Sequence, residues 1–226
     1  MFPSTRAITL AVLSTTALRA YAADASVLKP PVGAKAAIVV FEDLESPESA
    51  SAYPVMLEAA NTHKIPVLRY DFPLPRHSWS FTAAVWARYF ESQDSKSAKL
   101  GNEFRRFIYA SQKQISRDNL QQWVQKFADE HKIVLPSDSD PAGKLAEKVK
   151  ADFALGQRIG VEHPPTIWVI SNSGVSQPAV EEITSDQLNQ MIDDVLRKVQ
   201  TAKARNPAPR KSALNQQKRS IQGVIR

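Results

Sequence analysis

The chain has 226 residues, 43% of them apolar and 23% charged, with a net charge of +6 and no cysteine. This length and composition predict one packed domain of about 150–200 residues with tails, and they exclude wholesale disorder. The absence of cysteine excludes disulfide bonds, thiolate catalysis, cysteine-ligated zinc sites and iron–sulfur clusters.

The N-terminus has the pattern of a secretory signal peptide over residues 1–22. Arg6 supplies the positive start, residues 7–18 (AITLAVLSTTAL) form a short apolar stretch, and residues 20–22 (AYA) precede a cleavage site before Ala23. The apolar stretch is too short, and too interrupted by Ser and Thr, to span a bilayer. We therefore predict a mature chain without a transmembrane segment that works in the periplasm or outside the cell.

The C-terminus is strongly basic. Residues 203–226 hold seven Lys and Arg and no acid, and without these and the two arginines of the signal peptide 20 basic residues face 23 acidic ones. We divide the rest of the chain into a linker (23–33), a slightly acidic domain (34–200) and a basic tail (201–226) that is expected to be disordered. Such a tail either binds an anionic surface or is a solvated terminus without a fixed partner, and export argues against a nucleic-acid partner.

The domain begins with a β–α–β pattern. Residues 36–41 (AAIVVF) predict a strand buried on both faces. Ser46 then provides the N-cap of a helix that runs to about residue 62, with a kink at Pro54. Residues 65–70 (IPVLRY) predict a second strand, and this spacing favours a parallel pair joined by a right-handed crossover.

A long helical stretch separates this unit from a second group of strands. Between about residues 78 and 160 apolar residues recur at helical spacing, which favours core packing over a ligand-binding role for the aromatic side chains. Residues 166–170 (TIWVI) predict a strand, residues 175–180 a weak partner strand, and Thr184 with Gln187 a capping box for a last helix. The order β–α–β, helices, β–β–α indicates an α/β fold with a helical insertion.

Several separated segments between residues 34 and 199 resemble DsbA-like thioredoxin-fold proteins. The segment FEDLESPES (41–49) resembles the family's strand end and Cys-Pro-x-Cys helix start, and YDFPLPRH (70–77) resembles its segment before the helical insertion. The segment GVEHPPT (160–166) resembles its Gly-Val-x-Gly-Thr-Pro-Thr loop, which makes Pro165 the counterpart of the cis-proline. The resemblance implies a thioredoxin-like α/β fold with a helical insertion at about 78–160 and descent from thiol:disulfide oxidoreductases.

The chain departs from this family at the reactive centre. Ser46 and Ser49 stand at both redox cysteine positions, and a serine hydroxyl cannot form a mixed disulfide. Val40 stands where family members often carry a buried acid, and Pro164 replaces the residue before the cis-proline, which removes a backbone donor. Thiol–disulfide exchange is therefore excluded, and we interpret the two serines as degenerate redox positions to which no catalytic role is assigned.

Two interpretations of Ser46 are open. It is either an ordinary N-cap, or it follows the resemblance of SPES (46–49) to the Ser-Pro-x-Ser of kappa-type glutathione transferases and related isomerases. The second interpretation implies glutathione as the cofactor. Negative charge at the helix start opposes a bound thiolate, because four acids lie there. These acids are Glu42, Asp43, Glu45 and Glu48.

The four histidines show no metal-ligand spacing, so we predict no metal site. In a DsbA-like fold His77 and His163 approach the serine positions. Acyl transfer with His163 as the base for Ser46 has no support from a Gly-x-Ser-x-Gly motif, which the sequence lacks.

The predicted function is binding rather than catalysis. In a DsbA-like fold, the groove beside the cis-proline pairs with an extended peptide through backbone hydrogen bonds, and this capacity does not require cysteine. We predict an exported, redox-inactive, chaperone-like module that needs no cofactor and binds a peptide or protein client. Its predicted ligand-binding residues are Ser46, Pro47, His163, Pro164 and Pro165. The alternative is the glutathione-dependent transferase or isomerase that uses Ser46.

Overall fold

The computed structural model describes residues 25–93 and 98–205. The predicted signal peptide, and the predicted tail beyond residue 205, lie outside these ranges. None of the helices in the described part of the chain is both long enough and apolar enough to cross a membrane.

One mixed sheet and six α-helices make up the described ranges. The strands are β1 (Ala37–Glu42), β2 (Val67–Asp71), β3 (Thr166–Ser171), β4 (Gly174–Val175) and β5 (Ala179–Val180). The helices are α1 (Pro47–His63), α2 (Ser80–Gln93), α3 (Lys99–Ser111), α4 (Leu120–Glu130), α5 (Lys144–Arg158) and α6 (Ser185–Arg205), with 3-10 turns at Ala25–Val27 and Gln112–Gln114. The strand order is β2-β1-β3-β4, and β5 also pairs with β3.

The central strand β1 is apolar on both faces, and all six of its residues are buried. It pairs in parallel with β2, which places Glu42 opposite Asp71. It pairs antiparallel with β3, which places Phe41 opposite Thr166. The predicted β–α–β unit with its parallel strand pair is therefore confirmed.

Helices α1 and α6 cover one face of the sheet. α1 follows the N-cap Ser46, contains Pro54 and ends at His63, and the C-cap residue Lys64 has a left-handed backbone. α6 starts at the predicted capping box, in which Thr184 and Gln187 exchange hydrogen bonds. The side chains buried between these helices and the sheet include Ile38, Val40, Met56, Leu188, Ile192 and Val195.

Aromatic side chains and the N-terminal segment cover the opposite face. The ring of Phe41 stacks on Tyr70 with centroids 4.8 Å apart and meets Trp168 edge-to-face at 5.9 Å. Ala25 and Leu28 are buried in the same cluster. This part of the predicted linker therefore packs against the sheet.

Helices α2 to α5 form the insertion between β2 and β3. Its aromatic core includes Phe90, which lies 4.8 Å from Phe104 and 4.9 Å from Phe127 between ring centroids. Leu44 and Tyr53 join this core from the loop after β1 and from α1, so the insertion is packed against the start of α1. The predicted helical insertion is confirmed.

Two boundaries near the C-terminus differ from the sequence-based expectation. The segment predicted as one strand at 175–180 forms two short strands, because the Ser176 hydroxyl accepts the Val169 N–H at 2.9 Å and interrupts the ladder. Helix α6 continues to Arg205, so residues 201–205 are helical although the sequence assigned them to the tail.

Candidate binding site at the serine positions

Ser46 is the N-cap of α1. Its hydroxyl oxygen accepts the backbone N–H of Ser49 at 3.0 Å, which satisfies one of the free donors of the first helical turn. Its single proton faces Glu48 Oε2 at 2.8 Å and the Pro164 carbonyl at 3.4 Å. Ser46 is 1% exposed, so its hydroxyl is enclosed and already hydrogen-bonded on both its donor and acceptor sides.

Ser49, the second serine predicted to stand at a redox cysteine position, is also 1% exposed. Its hydroxyl oxygen accepts the backbone N–H of Asp43 at 3.2 Å. This bond links the first turn of α1 to the loop that follows β1. Both serine side chains therefore organise the local backbone, and neither presents a hydroxyl to solvent.

Asp43 is a buried carboxylate that organises the loop between β2 and α2. One of its oxygens accepts the Leu74 N–H at 2.7 Å and lies 2.7 Å from His77 Nδ1. The other accepts the Glu45 N–H at 2.8 Å and the Ser80 hydroxyl. His77 thus approaches the serine region as predicted, but its partner is Asp43 rather than Ser46.

Glu45 caps a second helix. Its Oε2 accepts the N–H groups of Trp79 at 2.7 Å and Ser80 at 3.0 Å, where α2 begins. The amide of Gln112 donates to the carbonyls of Leu44 at 2.9 Å and Ser46 at 3.0 Å from the opposite side. The loop before α1 is thereby fixed to both α2 and the end of α3.

The four acids that crowd the helix start in the sequence therefore have different environments in the fold. Glu42 and Asp43 are buried, Glu45 is partly buried against α2, and only Glu48 is exposed beside Ser46. The predicted electrostatic opposition to a thiolate thus comes mainly from Glu48, which is also the closest hydrogen-bond acceptor of the Ser46 hydroxyl.

The loop at residues 163–165 lies against Ser46, and its Pro164–Pro165 peptide bond is cis. Neither proline has an N–H. The three carbonyls of the loop accept hydrogen bonds from the Thr166 hydroxyl, the Ser46 hydroxyl and the Glu181 N–H. Its backbone therefore offers a partner strand only the His163 N–H and the second lone pairs of these carbonyls.

The exposed part of the site consists of side chains around the buried serines. Pro47 and Glu48 are exposed at the start of α1, and His163 is half exposed, with Nδ1 3.4 Å from Glu181 Oε1. Pro164 and Pro165 are buried beneath them. The five residues predicted to bind a ligand lie in one region, and only Pro47 and His163 among them present side chains to solvent.

The other two histidines lie elsewhere and have structural partners. His63 Nε2 lies 3.0 Å from Asn189 Oδ1 on α6, and His131 Nδ1 lies 2.9 Å from the Phe127 carbonyl. In the described ranges, no group of three or more His, Asp or Glu side chains is arranged to hold a metal ion.

A buried ion network lies at the ends of β1 and β2, next to the serine site. Glu42 and Asp71 are opposite each other in the parallel ladder, and the fully buried Arg105 on α3 reaches both, at 3.3 and 2.7 Å. Burial disfavours a charged guanidinium, but the surrounding carboxylates outweigh it and raise the pKa of Arg105 well above its usual value. Burial likewise raises the pKa of Asp71, yet Arg105 and Arg88 reverse this and lower it.

Four further side chains complete the network toward its rim. Arg69 pairs with Glu42 at 2.7 Å, while Arg88 pairs with Asp71, Glu91 and Asp152 at 2.6, 2.9 and 2.5 Å. Four carboxylates therefore meet three guanidinium groups. Burial raises the pKa of Asp152 to about 6, with Arg88 opposing and Asp71 adding to the rise.

Sequence reasoning missed this network, although one signal was present. Glu42 and Asp71 each directly follow a predicted strand, and the observed register of the parallel pair places them side by side. Two adjacent carboxylates at a buried sheet end require cations. The sequence does not say which cations, because Arg69, Arg88 and Arg105 come from three different elements.

The fold matches solved structures of DsbA-type proteins. It aligns with α-DsbA1 of Wolbachia pipientis at a TM-score of 0.63 and 14% identity, covering 77% of this chain and 92% of that one. For DsbA2 of Pseudomonas aeruginosa the TM-score is 0.53 at 14% identity, with 74% and 92% covered. For a periplasmic thioredoxin-like protein from Salmonella enterica serovar Typhimurium it is 0.57 at 15% identity, with 75% and 88% covered.

These similarities establish a DsbA-type thioredoxin-like fold and confirm the fold predicted from the sequence. No protein-family model and no curated protein sequence matches the chain. The two serine positions and the cysteine-free sequence separate its chemistry from thiol–disulfide exchange, because no thiol is available to attack a disulfide.

Proposed function

We propose that this protein is an exported, redox-inactive binding module that holds peptide or protein clients without chemical turnover. The main support for this proposal is the burial and internal hydrogen bonding of the two serines. Ser46 and Ser49 are both buried and hydrogen-bonded within the chain, whereas the side chains around them are exposed. The exposed side chains in this region are available to bind a client, whereas Ser46 and Ser49 stabilise the start of α1.

Side chains rather than backbone strand pairing make the client contact in this proposal. Pro47 and His163 supply exposed apolar and aromatic surface, and Ser46, Pro164 and Pro165 support it from below. The exposed acids Glu48, Glu162 and Glu181 surround these side chains or adjoin them in the chain. This charge favours clients with basic segments.

The proposal also includes export from the cytoplasm and binding of an anionic surface by the basic C-terminal segment. The signal-like N-terminus supports work in the periplasm or outside the cell, and one protein of the same fold is periplasmic. The basic segment after α6 supports additional affinity for an anionic surface.

The test is suppression of client aggregation. Reduced, denatured lysozyme, a basic secreted protein, is diluted into buffer with the exported chain, and light scattering is followed. We expect scattering to fall as the chain approaches stoichiometric amounts. A double variant, Pro47→Arg with His163→Arg, adds positive charge to the exposed face without touching the buried serines, and we expect it to lose most of this effect.

Val32→Arg is the matched control. Val32 is fully exposed and adjoins Gly33, which lies beside His63 at the opposite end of α1 from Ser46. The control should suppress scattering as well as the wild type. Absence of suppression by the wild type, or equal loss in Val32→Arg and in the double variant, would refute binding at the serine site.

A further inference from the structure

Strand β2 is an outer strand of the sheet, with β1 as its paired neighbour. In their parallel ladder Ile38 donates to the Pro66 carbonyl and Phe72 donates to the Glu42 carbonyl, each through its N–H. Backbone groups alternate in direction along a strand, so the even-numbered residues of β2 face β1. Val67, Arg69 and Asp71 therefore direct their backbone groups away from the sheet.

Part of this outer edge is already occupied. The Asp71 N–H donates to Asp152 Oδ2 at 3.2 Å, and the Arg69 carbonyl accepts from Arg88 at 3.3 Å. Of the four outward groups of Val67 and Arg69, three have no partner among the described residues: the N–H and carbonyl of Val67 and the N–H of Arg69. An edge of this kind is a template for another extended chain.

A groove gives such a chain access to these groups. It has a volume of about 440 Å³ and runs between α1 and α3, with Val67 and Arg69 at its base and Leu57 on one wall. Val67 is partly exposed, whereas the Arg69 side chain is only 6% exposed because it bonds to Glu42 and to Asn102 on α3. The groove therefore reaches the edge most openly at Val67. The groove can hold a peptide of a few residues in extended form, at about 3.3 Å per residue.

Charges at the rim indicate which peptide fits. Glu103 is 3.8 Å from Lys99 and 3.4 Å from His131, and Arg69 is paired with the buried Glu42. Arg106 lines the groove, is exposed and has no ion-pair partner in the described ranges. The rim therefore carries an uncompensated positive charge and favours acidic side chains.

We propose that the outer edge of β2 is a docking site for an extended acidic peptide segment of a partner protein. The segment adds a strand to the sheet by bonding to the N–H and carbonyl of Val67 and to the N–H of Arg69. Its acidic side chain meets Arg106. This site is separate from the serine positions and does not depend on the function proposed for them.

The test uses a fluorescein-labelled, C-terminally amidated peptide of sequence EVTVTVE. Its fluorescence anisotropy is measured as the protein comprising residues 23–226 is added. We expect saturable binding. Val67→Pro removes the outward N–H and leaves the bonds to β1, and proline is tolerated at the first position of an edge strand. Losing one backbone bond should weaken binding by about fivefold.

Val180→Pro is the matched control, because Val180 lies in β5 at the other edge of the sheet and is 45% exposed. It should leave peptide binding unchanged. Arg106→Glu should weaken binding, with a smaller effect at high salt, whereas Arg117→Glu, at another exposed position, should not. Circular dichroism and thermal unfolding establish that each variant is folded.

A second form of the peptide tests backbone pairing even if Val67→Pro fails to fold. Methylation of alternate backbone nitrogens removes donors without changing side chains, and it should abolish binding. Equal binding of the methylated peptide, no saturable binding of EVTVTVE, or loss of binding in Val180→Pro would each overturn the proposal. So would sedimentation showing a dimer that Val67→Pro or Arg106→Glu converts to monomer, because a second copy would then cover the edge.

Client binding at the serine site and peptide docking at the edge of β2 can be tested independently. The double variant Pro47→Arg with His163→Arg should bind EVTVTVE as the wild type does. If it loses both activities, the edge of β2 is not an independent site.

Discussion

The serine site and the ion network lie next to each other, and they use polar residues in opposite ways. At the serine site Ser46, Ser49 and Glu45 accept backbone N–H groups of a loop or of a helix start. In the network, charged side chains from β1, β2, α2, α3 and α5 satisfy one another across the fold. The first region uses side chains to complete backbone hydrogen bonding, whereas the second uses buried charges that depend on one another. We therefore expect substitutions in the first region to cost less stability.

This difference bears on how the chain maintains its fold without cysteine. Ser46 supplies the cap and Ser49 the loop bond, so the start of α1 is ordered without a thiol. The network has no comparable substitute. Removing one ion there leaves the opposite charges buried and unpaired.

The largest effect should come from Arg105→Met. Arg105 is fully buried and bonds to Glu42, Asp71 and Glu91, so its removal should lower the free energy of unfolding by about 3–5 kcal/mol. Urea denaturation measures this value. Arg106→Met, at the exposed neighbouring position, should change it by less than about 0.5 kcal/mol. A small loss in Arg105→Met would show that the network does not stabilise the fold in this way.

A second effect should come from Ser49→Ala. The substitution leaves the buried N–H of Asp43 without its acceptor, and we expect a loss of about 2 kcal/mol in the free energy of unfolding. Ser51→Ala is the matched control, because the Ser51 hydroxyl is exposed and donates to the Pro47 carbonyl. Similar losses in both variants would contradict the structural role of Ser49.

Ser46→Ala should cost about 1 kcal/mol, the usual effect of losing an N-cap, and Ser46→Asn should recover most of it. Calorimetric titration with glutathione should show no saturable binding to the wild type up to the millimolar range. Saturable binding that Ser46→Ala abolishes would instead favour the transferase or isomerase interpretation, and it would show that the enclosed hydroxyl becomes accessible.

The smallest effect concerns pH and Asp152. Its pKa in the folded chain, about 6, lies above the ordinary 3.8, so the folded chain binds more protons than the unfolded chain between these values. The stability contributed by Asp152 is therefore fully present below about pH 4 and is lost as the pH rises through 6. After a discount for its partial exposure, this contribution is on the order of 1 kcal/mol.

Asp152→Asn isolates this contribution. The difference in free energy of unfolding between wild type and variant, measured by urea denaturation, should change between pH 4 and pH 6.5. A constant difference across this range would show that Asp152 titrates at its ordinary value in the folded chain.

The sequence predicted the sheet centre and the start of α1 well because their signals are local. The apolar run at 36–41 predicts burial on both faces, and Ser46 followed by Pro47 predicts a helix start. The order of elements, with the resemblance to DsbA-like proteins, was enough to predict the thioredoxin-like fold and its helical insertion. The paired carboxylates Glu42 and Asp71 were detectable in the same way, but their partners were not.

Other features depended on which distant residues the fold brings together. The backbone carbonyls of residues 163–165 are occupied because Ser46, Thr166 and Glu181 converge on them, which no local pattern shows. The prediction that clients pair with the backbone of this loop did not take account of this convergence.

The sequence by itself determined that this protein has no thiol chemistry, because cysteine is absent and serine cannot exchange disulfides. It also determined the secondary-structure order, because caps and apolar periodicity act over a few residues. Only the tertiary structure decided that both serine hydroxyls are enclosed and that Arg105 lies between Glu42 and Asp71. It also decided that, among the described residues, three outward backbone groups of Val67 and Arg69 lack partners. Burial and long-range pairing depend on contacts between residues far apart in the chain, and a one-dimensional pattern does not record those contacts.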